Sequence, residues 1–457
     1  MSSSLGSPTS SAIRIQRLLR AVNAWSVDGL TRLNRRILRG ASEPEELIHV
    51  LNSAVLAELP EVELLPRQAA RQLVVHLGLY GASVGRHMQQ RHPTFKALPH
   101  AALDQLRVGP SGVNFRLYFG ALADRAEAGH PHRDSYASLV RWNTPSVSVY
   151  WQGERVATMP GEFPAGATRT YTGHPGEHAF LELLKRAETV ELAANSLLEP
   201  LSSAAIDPVS PEALHAVTLA ATLLGAVHRL NLDFMSPTQV ALTPEHFLDV
   251  LRQFAVHWTP GDIPPSGAQD VEYLKRDLIL GTTFPDYHEH VRRQFRALLA
   301  TEQEELEALM KRPCLPAQLL HRLELHDTGA LQRPVADLRR LLYDHPELAA
   351  HYFLLEQNSA VSASHLALAK KLLFKPQCAR IRAGIPDGPV VSNSAGTTGM
   401  VEQLLIRLAR ARKNHPLAPL RALSRTEIAE IGGIPRPPNI RTHDLPNIIC
   451  ETPALAG

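Results

Sequence analysis

Apolar positions recur at helical spacing along most of the chain. From Pro175 onward, Phe180, Leu183, Leu184, Ala187, Val190 and Ala194 fall on one stripe of a 3.6-residue helix. Ser210-Pro211 and Thr243-Pro244 each set a side-chain acceptor before a proline at the first helical position, which predicts two more helix starts. Helical patterns then cover about 269–281, 285–312, 333–356, 359–374 and 399–413, so the second half reads as a helical bundle. Residues 40–135 are also helical in pattern, with RQLVVHLGLYGASVGRHM running up to His92-Pro93. The period shortens to two in SVSVYW and RVATM on either side of Gln152-Gly153-Glu154, which predicts a β-hairpin.

The expected organisation is therefore mostly α. A flexible tail spans 1–12, a smaller N-terminal domain with a short β element 13–165, a helical domain 166–432 and a Pro-rich tail 433–457. That last segment, with its run IPRPPNIRTHDLPN, holds too many prolines for a long regular element and reads as draped over the body or disordered. Arg14, Arg17 and Arg20, with no acid before Asp28, resemble a transit peptide in composition. The absence of an apolar segment there favours a plain first helix.

Composition narrows the function. Lys plus Arg (47) against Asp plus Glu (45) leaves a charge of +2, so no whole-chain field favours nucleic acid or an anionic membrane. No 18-residue run is apolar enough in pattern to suggest a membrane span, and the chain is expected to be cytoplasmic, a monomer or homodimer with a small-molecule partner. Cys314, Cys378 and Cys450 lie far apart, which excludes a disulfide framework or a cysteine zinc cluster. The 22 histidines are the unusual feature.

Most of their spacings do not build a metal site. On a helix, His130 and His132, or His288 and His290, point about 200° apart, and His321 with His326 fails on the same geometry. Gly81-Ala-Ser83-Val-Gly85 matches the nucleophile elbow of a hydrolase, but it lies within a helical pattern where small residues serve packing. His365 differs. It shares a face with Leu368, Ala369 and Leu372, and is either a hydrogen-bonded core histidine or an axial haem ligand set in an apolar wall. Arg252, three residues after Asp249, reads either as half of a surface ion pair or as a pocket cation that grips a carboxylate with two prongs. The loop Ser392-Asn-Ser394-Ala-Gly396-Thr397 is either a flexible turn or a cover for an anionic or amino-acid ligand.

Four stretches in order resemble the indoleamine 2,3-dioxygenase superfamily of haem-dependent oxygenases. They are Thr243-Pro244-x-x-Phe247-Leu248-x-Val250-Leu251-Arg252, Pro264-Pro265-Ser266-Gly267-Ala268-Gln269, Ser362-x-Ser364-His365-Leu366, and Ser394-Ala395-Gly396-Thr397 ahead of Met400. Arg169-Thr-Tyr171-Thr172-Gly173 is similar to the monodechloroaminopyrrolnitrin synthase branch of the same superfamily. Leu248 replaces a second phenylalanine of the dioxygenases, Ser362 replaces an arginine near their haem ligand, and Leu373 replaces a tyrosine of the synthase branch.

The resemblance implies a helical haem-binding bundle and a haem b cofactor with His365 as proximal iron ligand. It implies that Asp277 hydrogen-bonds the other nitrogen of that ring, that Arg252 takes a substrate carboxylate and that Phe247 packs on an aromatic ring. Ser266 and Gly267 would lie over the distal haem face, while Ser394 and Thr397 would close the pocket. The implied activity is oxygenation of tryptophan or a related aromatic amino acid with O2, in tryptophan catabolism or secondary metabolism. The alternatives are rearrangement of a halotryptophan, peroxide-driven hydroxylation of an aromatic amino acid, and haem binding without catalysis.

Overall fold

The computed structural model describes residues 8–91, 98–163, 168–236 and 242–452, apart from 283, 285, 326–330, 395 and 397–400. It is mostly α-helical, with two small antiparallel sheets among the described residues. Helix α1 (Pro8–Ala24) begins inside the segment expected to be a tail, so that segment is helical from Pro8. Helix α2 (Arg67–Arg91) is buried on nearly every face. Its glycines permit this: a Cβ on Gly81 would stand 2.4 Å from the Trp258 ring, and one on Gly85 2.8 Å from Val256. Ser83 is fully buried mid-helix and accepts a hydrogen bond from Asn34 Nδ2 at 3.0 Å. The G-x-S-x-G string is thus a packing motif, with no exposed nucleophile.

Strands β1 (Ser146–Trp151) and β2 (Glu154–Met159) form the expected hairpin. Gln152 and Gly153 both have positive φ (51° and 86°), the geometry that matches a two-residue turn to the twist of its strands. The C-terminal segment supplies a third strand, β3 (Ile449–Thr452), antiparallel to the other side of β1 with Ser146 opposite Thr452. The Pro-rich segment before it is held to the body by buried Ile440 and by Thr442 Oγ1, which donates to Asp233 Oδ1 at 2.9 Å. One continuous hydrophobic core runs from Ile15 to Ile448, across the boundary expected near residue 165.

The second half is built on α3 (Pro175–Ser202) and α4 (Pro211–Phe234), then α5 (Pro244–Asp249), α6 (Val271–Ile279), α7 (Tyr287–Gln294), α8 (Leu348–Ala369) and α9 (Glu402–Lys413). The expected caps form: Ser210 Oγ accepts from Ala213 N at 3.1 Å and Thr243 Oγ1 from His246 N at 3.2 Å, each before a proline. By length and composition α4 could cross a membrane, yet its apolar faces pack mainly on α3 and α8. The helix expected over 285–312 is interrupted at Phe295–Leu299, where the Glu302 carboxylate accepts from Leu299 N and starts a new helix. The helix expected over 333–356 breaks at His345-Pro346, because proline has no N–H to continue the ladder. Helix α8 then runs unbroken through 357–358 to Ala369 and continues as a wide turn, Lys370–Phe374.

Candidate functional site

A cavity of about 280 Å³ opens among α3, α5, α6, α8, α9 and the Ser266 loop. Most of its wall is aliphatic. On α8, Val361, His365, Leu368, Ala369 and Leu372 all face it, the shared face that their spacing predicts. No hydrogen bond to the His365 ring occurs among the described residues, and the Tyr273 ring meets it edge-on at 5.4 Å. Surrounded by protein, and with the Arg412 and Arg276 guanidinium groups nearby, the imidazole is pulled down to about pKa 4, while Asp277 opposes that shift. At neutral pH it presents a neutral nitrogen to an apolar space.

Asp277 does not hydrogen-bond His365, as the resemblance implied. Its carboxylate takes Arg412 in two-pronged fashion (Nε to Oδ1 2.8 Å, Nη2 to Oδ2 2.5 Å) and accepts from the Tyr287 hydroxyl at 2.5 Å. The fork of Arg412 matches a carboxylate better than a single imidazole N–H does, and its third nitrogen, Nη1, donates to Ser362 Oγ at 2.6 Å. Ser362, where the dioxygenases carry arginine, thus accepts from an arginine delivered by α9. Both side chains of the ion pair are buried, so Asp277 acts on His365 through its charge.

Arg252 follows α5 on a short 3₁₀ turn and is only 6% exposed. The surface pair with Asp249 does not form, because Arg380 holds Asp249 with bonds of 2.5 and 2.6 Å. Arg252 instead turns to the cavity, donating from Nε to Asn393 Oδ1 at 3.0 Å and from Nη2 to the Ser392 carbonyl at 2.7 Å. Burial lowers it to about pKa 10, still protonated at neutral pH. Phe247 also lines the cavity and packs edge-on against Phe180 at 5.7 Å.

Ser266 and Gly267 line it from a loop made rigid by a capping box: Ser266 N donates to Gln269 Oε1 and Ala268 N to Ser266 Oγ. A Cβ on Gly267 would meet nothing within 4 Å, so the loop leaves room in front of its backbone.

Ser394 is exposed and does not line the cavity. Asp387 accepts from Gly388 N, Asn393 N and Ser392 Oγ, and this turns Asn393 rather than Ser394 inward onto Arg252. Gly396 reaches the cavity, and Thr397 lies outside the described residues. Tyr171, of the Arg169–Gly173 stretch, is on the wall and stacks on Phe254 at 4.1 Å.

Sequence reasoning missed Tyr273, Arg412, Glu191, Asp270 and Tyr136. For Glu191 a signal existed, since it falls four residues after Ala187 on the apolar stripe of α3. Arg412 had none, because it sits in a helix turn that reads as ordinary polar surface. Of the other histidines, His130 stacks on Trp142 and contacts Ser135 Oγ and His132 pairs with Asp124, whereas His290, stacked on Tyr287, is buried and reaches the cavity wall. Among the described residues no three His, Cys, Asp or Glu side chains gather as a metal site. A haem site needs only one such ligand.

No protein-family model matches the chain, and no curated protein matches it.

Proposed function

We propose that the protein is a haem-dependent oxygenase of tryptophan or a related aromatic amino acid. The observation that carries this reading is His365, a neutral imidazole with no hydrogen-bond partner among the described residues, set in the wall of a largely aliphatic cavity that also receives the buried Arg252. The residues present fit a haem: the His365 nitrogen as donor on α8, an apolar wall on α8 and α9, and an open face at Gly267. His365 would hold the iron, and bound haem would supply activation of O2 for attack on an electron-rich ring.

The chain's own part is binding and orientation. Arg252 takes the substrate carboxylate, and its bonds to Asn393 and the Ser392 carbonyl fix the guanidinium before the substrate arrives. Phe247 packs against the aromatic ring, and the rigid Ser266–Gly267 loop limits how the ring can tilt. The aliphatic wall excludes water, so the carboxylate–Arg252 contact is stronger than it would be in solvent. Fixing the ring in this way lowers the barrier without an acid or base.

The test is spectral titration of reduced, haem-loaded protein with tryptophan, halotryptophans and tyrosine, then product mass after O2 is admitted. A colourless protein that cannot be loaded with haem would overturn the reading.

Arg252→Ala should raise KM for the amino acid by roughly 10- to 100-fold, the range expected for losing a buried charged hydrogen bond. The resting haem spectrum should stay unchanged, and Arg252→Lys should recover only part of the loss, since lysine offers no fork. An unchanged KM rules out the carboxylate role.

The lowered pKa of His365 predicts how haem uptake depends on pH. Because the ring stays neutral down to about pKa 4, uptake should be level from about pH 8 to about pH 5 and fall only below that. A midpoint near 6.5, the ordinary histidine value, contradicts it.

A further inference from the structure

Carboxyl groups outnumber the cations along the α3–α6 side of the cavity. Arg141 is shared by Glu188 and Glu302, Lys275 is shared by Glu272 and Glu305, and Arg276 pairs with Glu191. Asp270 has no ion-pair partner among the described residues. A further buried cation, Lys185, donates to the backbone carbonyls of Arg141 and Pro160. Among the described residues these six carboxyls thus meet four cations, all but the half-exposed Glu305 largely closed to water.

Two of these carboxyls, Glu191 and Asp270, line the cavity. Glu191 is 2% exposed; its Oε1 receives Arg276, and its Oε2 has no hydrogen-bond partner among the described residues. Asp270 Oδ1 caps α6 by accepting from Tyr273 N at 3.0 Å, while among the described residues Oδ2 has only a long contact from the Tyr136 hydroxyl at 3.5 Å. The Tyr273 hydroxyl, on the same wall, is buried and has no hydrogen-bond partner among the described residues. Acceptors are therefore left over where the wall is most acidic, and burial raises Glu191 to about pKa 8 and Asp270 to about pKa 6. At neutral pH the proton kept by Glu191 offsets part of the surplus negative charge, while Asp270 is mostly ionised.

We infer that Glu191 and Asp270, with the Tyr273 hydroxyl, form a binding site for a protonated amine, so that the cavity selects aromatic ligands carrying an ammonium group. The ammonium pairs with the Asp270 carboxylate, displaces the proton held by Glu191 and fills the open acceptors with charge-assisted hydrogen bonds, while the aliphatic wall takes the ring. This inference rests on reading the cavity as the ligand site, but not on haem being there.

The test compares two indoles by titration calorimetry on the purified full-length protein: tryptamine, which is cationic, and tryptophol, its neutral counterpart. Tryptamine should bind at least about tenfold more tightly to the wild type. Glu191→Gln and Asp270→Asn should each shrink that ratio, the second without loss of the helix cap because asparagine caps as well as aspartate. Equal affinity for the two probes, no tryptamine binding up to millimolar concentration, or a ratio unchanged in both variants would overturn the inference. The wild-type comparison stands even if a variant fails to fold. Haem uptake is read separately from the Soret band: a protein that prefers the amine but takes up no haem removes the oxygenase proposal and leaves this one standing.

Discussion

Replacing His365 with alanine is expected to abolish the Soret band of haem-loaded protein and, with it, all oxygenase turnover. His365 is the imidazole placed among the aliphatic residues of the cavity face of α8, and no neighbouring ring on that face can substitute for it. Since the ring has no hydrogen-bond partner among the described residues, its removal leaves no buried donor or acceptor stranded. The variant should therefore melt close to the wild type, and loss of colour would report ligation rather than misfolding. Added imidazole should restore part of the Soret band by occupying the space the side chain leaves. A His365→Ala protein that binds haem with an unchanged spectrum would remove this residue from the iron and sink the proposal.

The second large effect is on stability. Arg412→Ala should destabilise the fold by about 3–5 kcal/mol, the usual cost of removing one partner of a buried ion pair. Three elements lose their tie at once: Asp277 on α6, Ser362 on α8 and Arg412 itself on α9 are joined only while the guanidinium is present. The stranded Asp277 carboxylate, fully buried beside Tyr287, is what makes the loss so large. Replacing both members, as in Arg412→Met with Asp277→Leu, should cost much less, because no uncompensated charge remains. Denaturant unfolding of the single and double variants measures the difference. If the single variant is as stable as the wild type, the pair does not tie the three helices.

Much of the fold was legible because local rules decide it. A helix start needs only a capping side chain and a proline, so Ser210 and Thr243 could be placed from the sequence. The hairpin turn needs two residues tolerant of positive φ, and Gln152-Gly153 meets that need. The errors arose where long-range partners act. The break before Ala300 depends on Glu302, which also pairs with Arg141 from the N-terminal half. The last strand depends on an open edge of β1, about three hundred residues earlier in the chain, and no local pattern in a proline-rich segment announces it.

The candidate site divides in the same way. The face that carries His365 follows from helical spacing, and Phe247, Ser266, Gly267 and Arg252 reach the cavity as expected. Partnership did not follow. Asp249, three residues from Arg252, is taken by Arg380, and Ser394 yields its inward place to Asn393. Asp277 bonds Arg412 instead of the imidazole.

By itself, then, the sequence determined which residues share a helix face and where most helices begin, because spacing and capping are properties of a few neighbouring residues. Only the tertiary structure decided which charges meet. Arg412 to Asp277, Arg252 to Asn393 and the surplus of carboxyls around Glu191 and Asp270 are set by the burial and approach of segments far apart in the chain. In a region closed to water, those pairings determine what each group can bind.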